Sequence, residues 1–157
     1  MRTIKLVVLA LVITASTSAQ WKKNFFVDDF GDKTNDYYYS MSSYGTFSNS
    51  ATQNSKLLGV FIHAESESSL YIKVYEYERR LATRYEGTFE DVKIKTPSGN
   101  VVTISGVYFT KSGLLLFTKD KYDTLLETII QKGTYKMAFN RTTKYNSSSY
   151  KLTFTIQ

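Results

Sequence analysis

Hydrophobic alternation with a period of two constrains this chain more than any other feature of its sequence. Leu58, Val60, Ile62 and Ala64 alternate, and after the polar stretch Glu65 to Ser69 so do Leu70, Ile72 and Val74. Successive side chains of a strand point to opposite faces, so each run reads as a strand with one face in a core, and the pair as a hairpin. Val92 and Ile94 lead into Thr96-Pro97-Ser98-Gly99-Asn100, after which Val102, Ile104 and Tyr108 resume the period. This is a second hairpin, around a turn that carries Pro and Gly. Lys111-Ser112-Gly113 then turns into the apolar Leu114 to Phe117. Tyr135, Met137 and Phe139, and later Tyr150, Leu152, Phe154 and Ile156, mark two closing strands, with Lys136, Lys151, Thr153 and Thr155 on the opposite faces. Thirteen Tyr and ten Phe against a single Pro is a strand-forming composition.

One segment departs from this period. From Asp120 to Lys132, Tyr122, Leu125, Leu126, Ile129 and Ile130 recur at three- and four-residue spacings, and Gly133 follows as a stop. The spacing predicts one amphipathic helix, with Asp120 and Asp123 near its N-terminus and Lys132 near its C-terminus, as the helix dipole favours. The expected fold class is all-β: an antiparallel β-sandwich, jelly-roll-like, with a short helix near residues 120–132. A partly open barrel is the alternative.

The N-terminus sets the expected compartment. Arg2 and Lys5 precede an unbroken apolar run, Leu6 to Ile13, and small residues follow up to Ala19. This is the pattern of a signal peptide over residues 1–19, with Thr17 and Ala19 before the cut at Gln20. The run is too short for a membrane span, which needs about 20 apolar residues. Residues 20–157 then form a single domain, without a membrane span, in the periplasm or outside the cell. No cysteine occurs, which excludes a disulfide framework, a thiolate metal site and a cysteine nucleophile. Loss of Arg2 and Lys5 lowers the net charge from +6 to about +4, and the lysines are spread over alternate strand positions rather than clustered. Nucleic acid is not an expected partner, since a clustered basic face is its footprint.

The stretches Val27-Asp28-Asp29-Phe30-Gly31-Asp32, Gly45-Thr46-Phe47-Ser48-Asn49-Ser50-Ala51-Thr52 and Tyr75-Glu76-Tyr77 resemble a family of small exported Bacteroidetes proteins without an assigned function. The order of elements also resembles, remotely and in architecture only, the sandwich modules of invasion-associated B-type and type VI secretion accessory proteins. Neither resemblance implies a catalytic motif, a cofactor or an activity.

Several constellations bear on chemistry. His63 is the only histidine, and a catalytic triad would need it beside a nucleophilic serine and an orienting carboxylate. No G-x-S-x-G elbow occurs. Zinc, which takes three or four His, Cys or carboxylate ligands, is disfavoured. Asp28, Asp29, Asp32 and Asp36 fall around Gly31 and offer the hard oxygen atoms calcium requires, although Asp and Gly are also ordinary turn residues. Glu65 with Glu67, at a hairpin tip, and Glu76 with Glu78, at a strand end, are the nearest approach to a carboxylate pair; tips and ends are where solvated charge goes. Asn140-Arg141-Thr142 and Asn146-Ser147-Ser148 match the glycosylation pattern, which carries no meaning by default in a bacterial protein.

The alternation that turns Leu70, Ile72 and Val74 inward turns Tyr71, Lys73, Tyr75 and Tyr77 outward, and the same reading sets Phe61 and His63 across the hairpin from them. Tyrosine pairs an apolar body with a polar tip and suits wet interfaces. These six residues are the expected ligand-binding face. The expected function is that of an exported, non-enzymatic, cofactor-free binding module whose partner is a protein or a glycan of the cell envelope. The other classes are an assembly subunit of an envelope or secretion apparatus and a small secreted hydrolase.

Overall fold

The computed structural model describes residues 21–64 and 70–157; the expected signal peptide and the pair Glu65 and Glu67 lie outside them. The elements in chain order are β1 (Lys22–Val27), β2 (Lys33–Asn49), β3 (Thr52–Ala64), β4 (Leu70–Glu76), β5 (Arg80–Leu81), β6 (Thr88–Lys95), β7 (Val101–Phe109), β8 (Leu114–Phe117), α1 (Lys119–Thr128), β9 (Gly133–Thr142) and β10 (Ser147–Ile156).

The chain is mostly β, with one short helix, but the strands form a closed barrel rather than two facing sheets. Neighbours run β2-β10-β9-β6-β7-β8-β4-β3, and β3 pairs back onto β2, so eight antiparallel strands close a ring. The reason lies in β2. Its 17 residues are long enough to pair with β3 from Tyr38 to Asn49, with β10 from Tyr44 to Ser48, and with β1 from Lys33 to Ser40. One strand shared between both ends of the sheet removes the free edges a sandwich would have kept.

A ring of eight strands leaves an interior just wide enough to be filled by side chains. Here aromatic rings fill it: Tyr135 stacks on Phe154 at 5.4 Å and Phe139 on Tyr150 at 5.1 Å, and all four are buried. On β4 the inward set is Leu70, Ile72, Val74 and also Glu76.

On β3 the inward set is Leu57, Gly59, Phe61 and His63, one residue out of step with the expected Leu58, Val60 and Ile62. Gly59 explains the slip. A Cβ there would sit 2.7 Å from a Leu152 methyl, so the core position facing Leu152 admits no side chain and is invisible to a hydrophobic pattern. A one-residue slip of phase turns every side chain of a strand over. The outward Leu58, Val60 and Ile62 lie directly opposite Tyr75, Lys73 and Tyr71, whose rings and methylene stem flank them.

The 96–100 turn joins β6 and β7 as expected, with Gly99 at φ +93°. Tyr108, read as inward, is outward: two β7 residues, Ser105 and Gly106, oppose Asp91 alone, and this bulge resets the phase so that Val107 and Phe109 enter the core. The helix ends at Thr128 rather than 132. Tyr135 ties the backbone of Gln131 from both sides, its hydroxyl donating to the carbonyl at 2.7 Å and accepting the N–H at 3.1 Å, so the chain leaves helical geometry before Gly133 opens β9.

Candidate functional site

The two mouths of the barrel are closed differently. At one, α1 lies over the rim formed by β7 and β8, where Leu125 and Ile129 enter the core. At the other, polar side chains make the plug. Arg141, 1 % exposed, continues the inward series Tyr135, Met137, Phe139 of β9. Its guanidinium lies 4.2 Å from the centre of the Phe109 ring and donates to the carbonyls of Ala82, Glu86 (2.8 Å) and Thr110 (2.9 Å). Burial pulls its pKa below the ordinary arginine range. Beside it, the Glu76 carboxylate accepts from Arg84 at 2.7 Å and from the Tyr150 hydroxyl at 2.9 Å. Burial, reinforced by the Glu76 charge, holds the Tyr150 phenol well above its usual range. Glu76, expected as solvated charge, is 5 % exposed. The network binds the loops of that mouth to the strands and leaves its carboxylate occupied by donors.

The helix-capped mouth holds a cleft of about 500 Å³. Leu126 of α1 and Ile130, two residues past its end, form one side, and Trp21, Tyr39, Leu70 and Ile156 the barrel side. Ile130 is 75 % exposed and Leu126 39 %, because the apolar stripe that runs from α1 into the two residues after it is wider than the pair, Leu125 and Ile129, that the barrel takes in. The polar feature of the wall is a pair. The Tyr122 hydroxyl lies 3.2 Å from His63 Nε2, with the two rings stacked at 5.2 Å. Burial raises the Tyr122 pKa, with the Asp123 charge adding to it, so the phenol keeps its proton. Among the described residues no carboxylate or serine lines the cleft. Apolar walls with a few fixed hydrogen-bonding groups are the usual form of a small-molecule site, and the volume falls within the usual range of about 300–1,000 Å³.

The six residues of the expected binding face divide between two faces of the sheet. Phe61 is fully buried, and His63 faces the mouth. Tyr71, Lys73 and Tyr75 are outward and half-buried, and Tyr77, 45 % exposed with φ +55°, lies past the end of β4 with its ring edge-on to Phe47. Of the four aspartates, Asp28 shapes a turn: its Oδ1 accepts the N–H groups of Phe30 and Asp32, each at 2.9 Å. Asp29, Asp32 and Asp36 are exposed, and among the described residues no three His, Asp or Glu side chains converge on a point where a metal would sit. No helix among the described residues is long and apolar enough to cross a membrane.

The sequence reading found His63 but not the rest of the cleft. The available signal was the helix, whose five apolar positions over 120–132 exceed what one core-facing stripe needs. Trp21, just before β1, Tyr39 on β2 and Ile156 on β10 arrive from separate parts of the sequence, and nothing local marks them. Fold and site together define a helix-capped, eight-stranded antiparallel barrel with an apolar cleft at its capped mouth. Comparison with protein-family models, curated proteins and solved structures finds no match to this chain.

Proposed function

We propose that this protein is an exported, non-enzymatic binding module, and that its ligand is a small amphipathic molecule held in the cleft between α1 and the barrel rim. One observation carries the reading: a cleft of about 500 Å³, mostly apolar, with the Tyr122 and His63 pair on its wall. An apolar chain fits between Leu126 and Leu70, and a hydrogen-bonding head group meets the Tyr122 hydroxyl. The packed interior supports a site at the mouth rather than in the barrel centre, because rings occupy the space a deeper ligand would need. Export rests on the basic and apolar start of the sequence, Met1 to Ala19.

Dodecanoate tests the reading. A ligand that binds only the folded state stabilises it by about 2.7 kcal/mol at a hundred times its dissociation constant, so the expected result is a melting temperature that climbs with dodecanoate concentration. Leu126→Asp, at a position exposed enough to spare the fold, should abolish the climb, and Tyr122→Phe should weaken it. An unchanged melting temperature in the native protein overturns the proposal. An equal climb in Leu126→Asp places the ligand elsewhere.

A further inference from the structure

We propose that an opening in the barrel wall between β6 and β9 is a second binding site, for a short neutral oligosaccharide, in which Phe89 is the stacking platform and Asp91 and Asn140 take the hydroxyl groups. This site is independent of the cleft under α1.

The opening begins with a pairing that stops early. β6 and β9 are joined only from Lys93 to Lys95, against Ala138 to Lys136. Continued in the same register, Asp91 would face Asn140 and Phe89 would face Thr142, yet the strands part there. Each remains paired on its other side, β6 with β7 back to Thr88 and β9 with β10 to Thr142. The bulge at Ser105 and Gly106, with Gly106 at φ +70°, sits opposite the point of parting. Bulges bend and twist the strands they interrupt, which carries the start of β6 away from β9.

The result is a hollow of about 610 Å³ with two banks and a floor. Phe89, Asp91 and Lys93 form one bank, Asn140 and Thr142 the other, and Phe139 shows through the gap. The bank from Phe89 to Lys93 is about 13 Å long at the rise of a strand, enough for a disaccharide or a trisaccharide. Its lining is chiefly polar, unlike that of the mouth cleft.

Two features separate a sugar from other occupants. Glu90 Oε1 accepts the Thr142 N–H at 3.2 Å and the Thr88 hydroxyl at 2.6 Å. A side chain thus holds the ladder position that an added strand would need, and a bulge with a charge is how proteins close an edge to pairing. Phe89 is 75 % exposed yet held in place: its ring rests on Tyr108 at 5.0 Å. Tyr108 in turn lies against Gly87, where a Cβ would fall 2.2 Å from the phenol oxygen. A fixed, open aromatic face beside a carboxylate and an amide matches the two surfaces of a pyranose, its C–H face and its rim of hydroxyl groups. Two carboxylates against one ammonium disfavour an acidic sugar.

The test is a titration of the ¹⁵N-labelled protein, followed by NMR, with maltotriose, cellotriose, mannotriose and N-acetylchitotriose in separate runs. The expected result is saturable movement of the amide signals of residues 88–93 and 138–142 with at least one of the four. Phe89→Ala and Asp91→Asn, both exposed positions that leave the fold intact, should each weaken that binding about tenfold. The proposal is overturned if none of the sugars moves these signals, if both variants bind as the native protein does, or if the movement falls on α1 and the mouth instead.

Discussion

Arg141, 1 % exposed, is a position at which a single substitution should cost this protein much of its stability without creating a cavity. In Arg141→Met the side-chain volume and the contact with Phe109 are kept, and the three donated hydrogen bonds are lost. The carbonyl of Ala82, a residue with no exposure, is left dry and unpaired, at a cost of about 1–3 kcal/mol. The carbonyls of Glu86 and Thr110 lie nearer solvent and recover water, so each contributes only about 0.5–1 kcal/mol. Removing a buried cation returns part of this, and the net expectation is about 3 kcal/mol, a large share of the roughly 5–15 kcal/mol typical of a domain. Arg141→Lys should cost about as much although it keeps the charge, because one ammonium does not reproduce a planar fork that serves three carbonyls and stacks on a ring. Urea unfolding followed by circular dichroism reads the loss as a midpoint shift of about 1.5 M at unchanged slope. The reasoning is refuted if Arg141→Lys falls within about 0.5 kcal/mol of the native protein, which would make charge rather than geometry the operative property. It is equally refuted if Arg141→Met is neutral.

Two further predictions concern the barrel. A Cβ at Gly45 would fall 1.8 Å from the backbone oxygen of Lys151, whereas at Gly59 it would press on a mobile Leu152 methyl at 2.7 Å. Gly59→Ala should therefore cost about 1–3 kcal/mol, the usual range for overpacking, and Gly45→Ala more; urea midpoints of the two variants check the order. Tyr150 is expected to make stability pH-dependent on the alkaline side. Its folded-state pKa is raised by burial and by Glu76, so above about pH 10 the unfolded chain releases the proton while the folded one keeps it. The contribution is complete below that pH and falls by up to about 1.4 kcal/mol per pH unit above it. Tyr150→Phe should flatten this decline in urea midpoints measured from pH 8 to 11, and an equally steep decline in the variant would show that another group is responsible.

The period-two pattern made the all-β class, the 96–100 hairpin and the closing strands legible, and the 3.6-residue pattern made the helix so. What escaped depended on single residues that interrupt or extend a period. Gly59 hid the phase of β3, and with it the orientation of Phe61 and His63. The bulge at Gly106 turned Tyr108 outward. Arg141 and Glu76 each continue an apolar inward series with a charge, and a reading that looks for hydrophobic residues stops one position short of both. Barrel closure was not legible, because it depends on β2 pairing along both edges, which no local pattern records. The cleft escaped for the same reason, being assembled from both ends of the chain around a helix in the middle.

The cleft carries its own reporter. Trp21 is the only tryptophan in the chain and lines the barrel side of the cleft, so a ligand bearing a heavy atom will quench its fluorescence on contact. Titration with ω-bromoundecanoate is the most direct test of binding at the capped mouth. A ligand seated in the cleft gives saturable quenching that dodecanoate reverses by competition and that Leu126→Asp removes. Trp21 fluorescence that stays constant, or quenching that Leu126→Asp leaves unaltered, would contradict binding there.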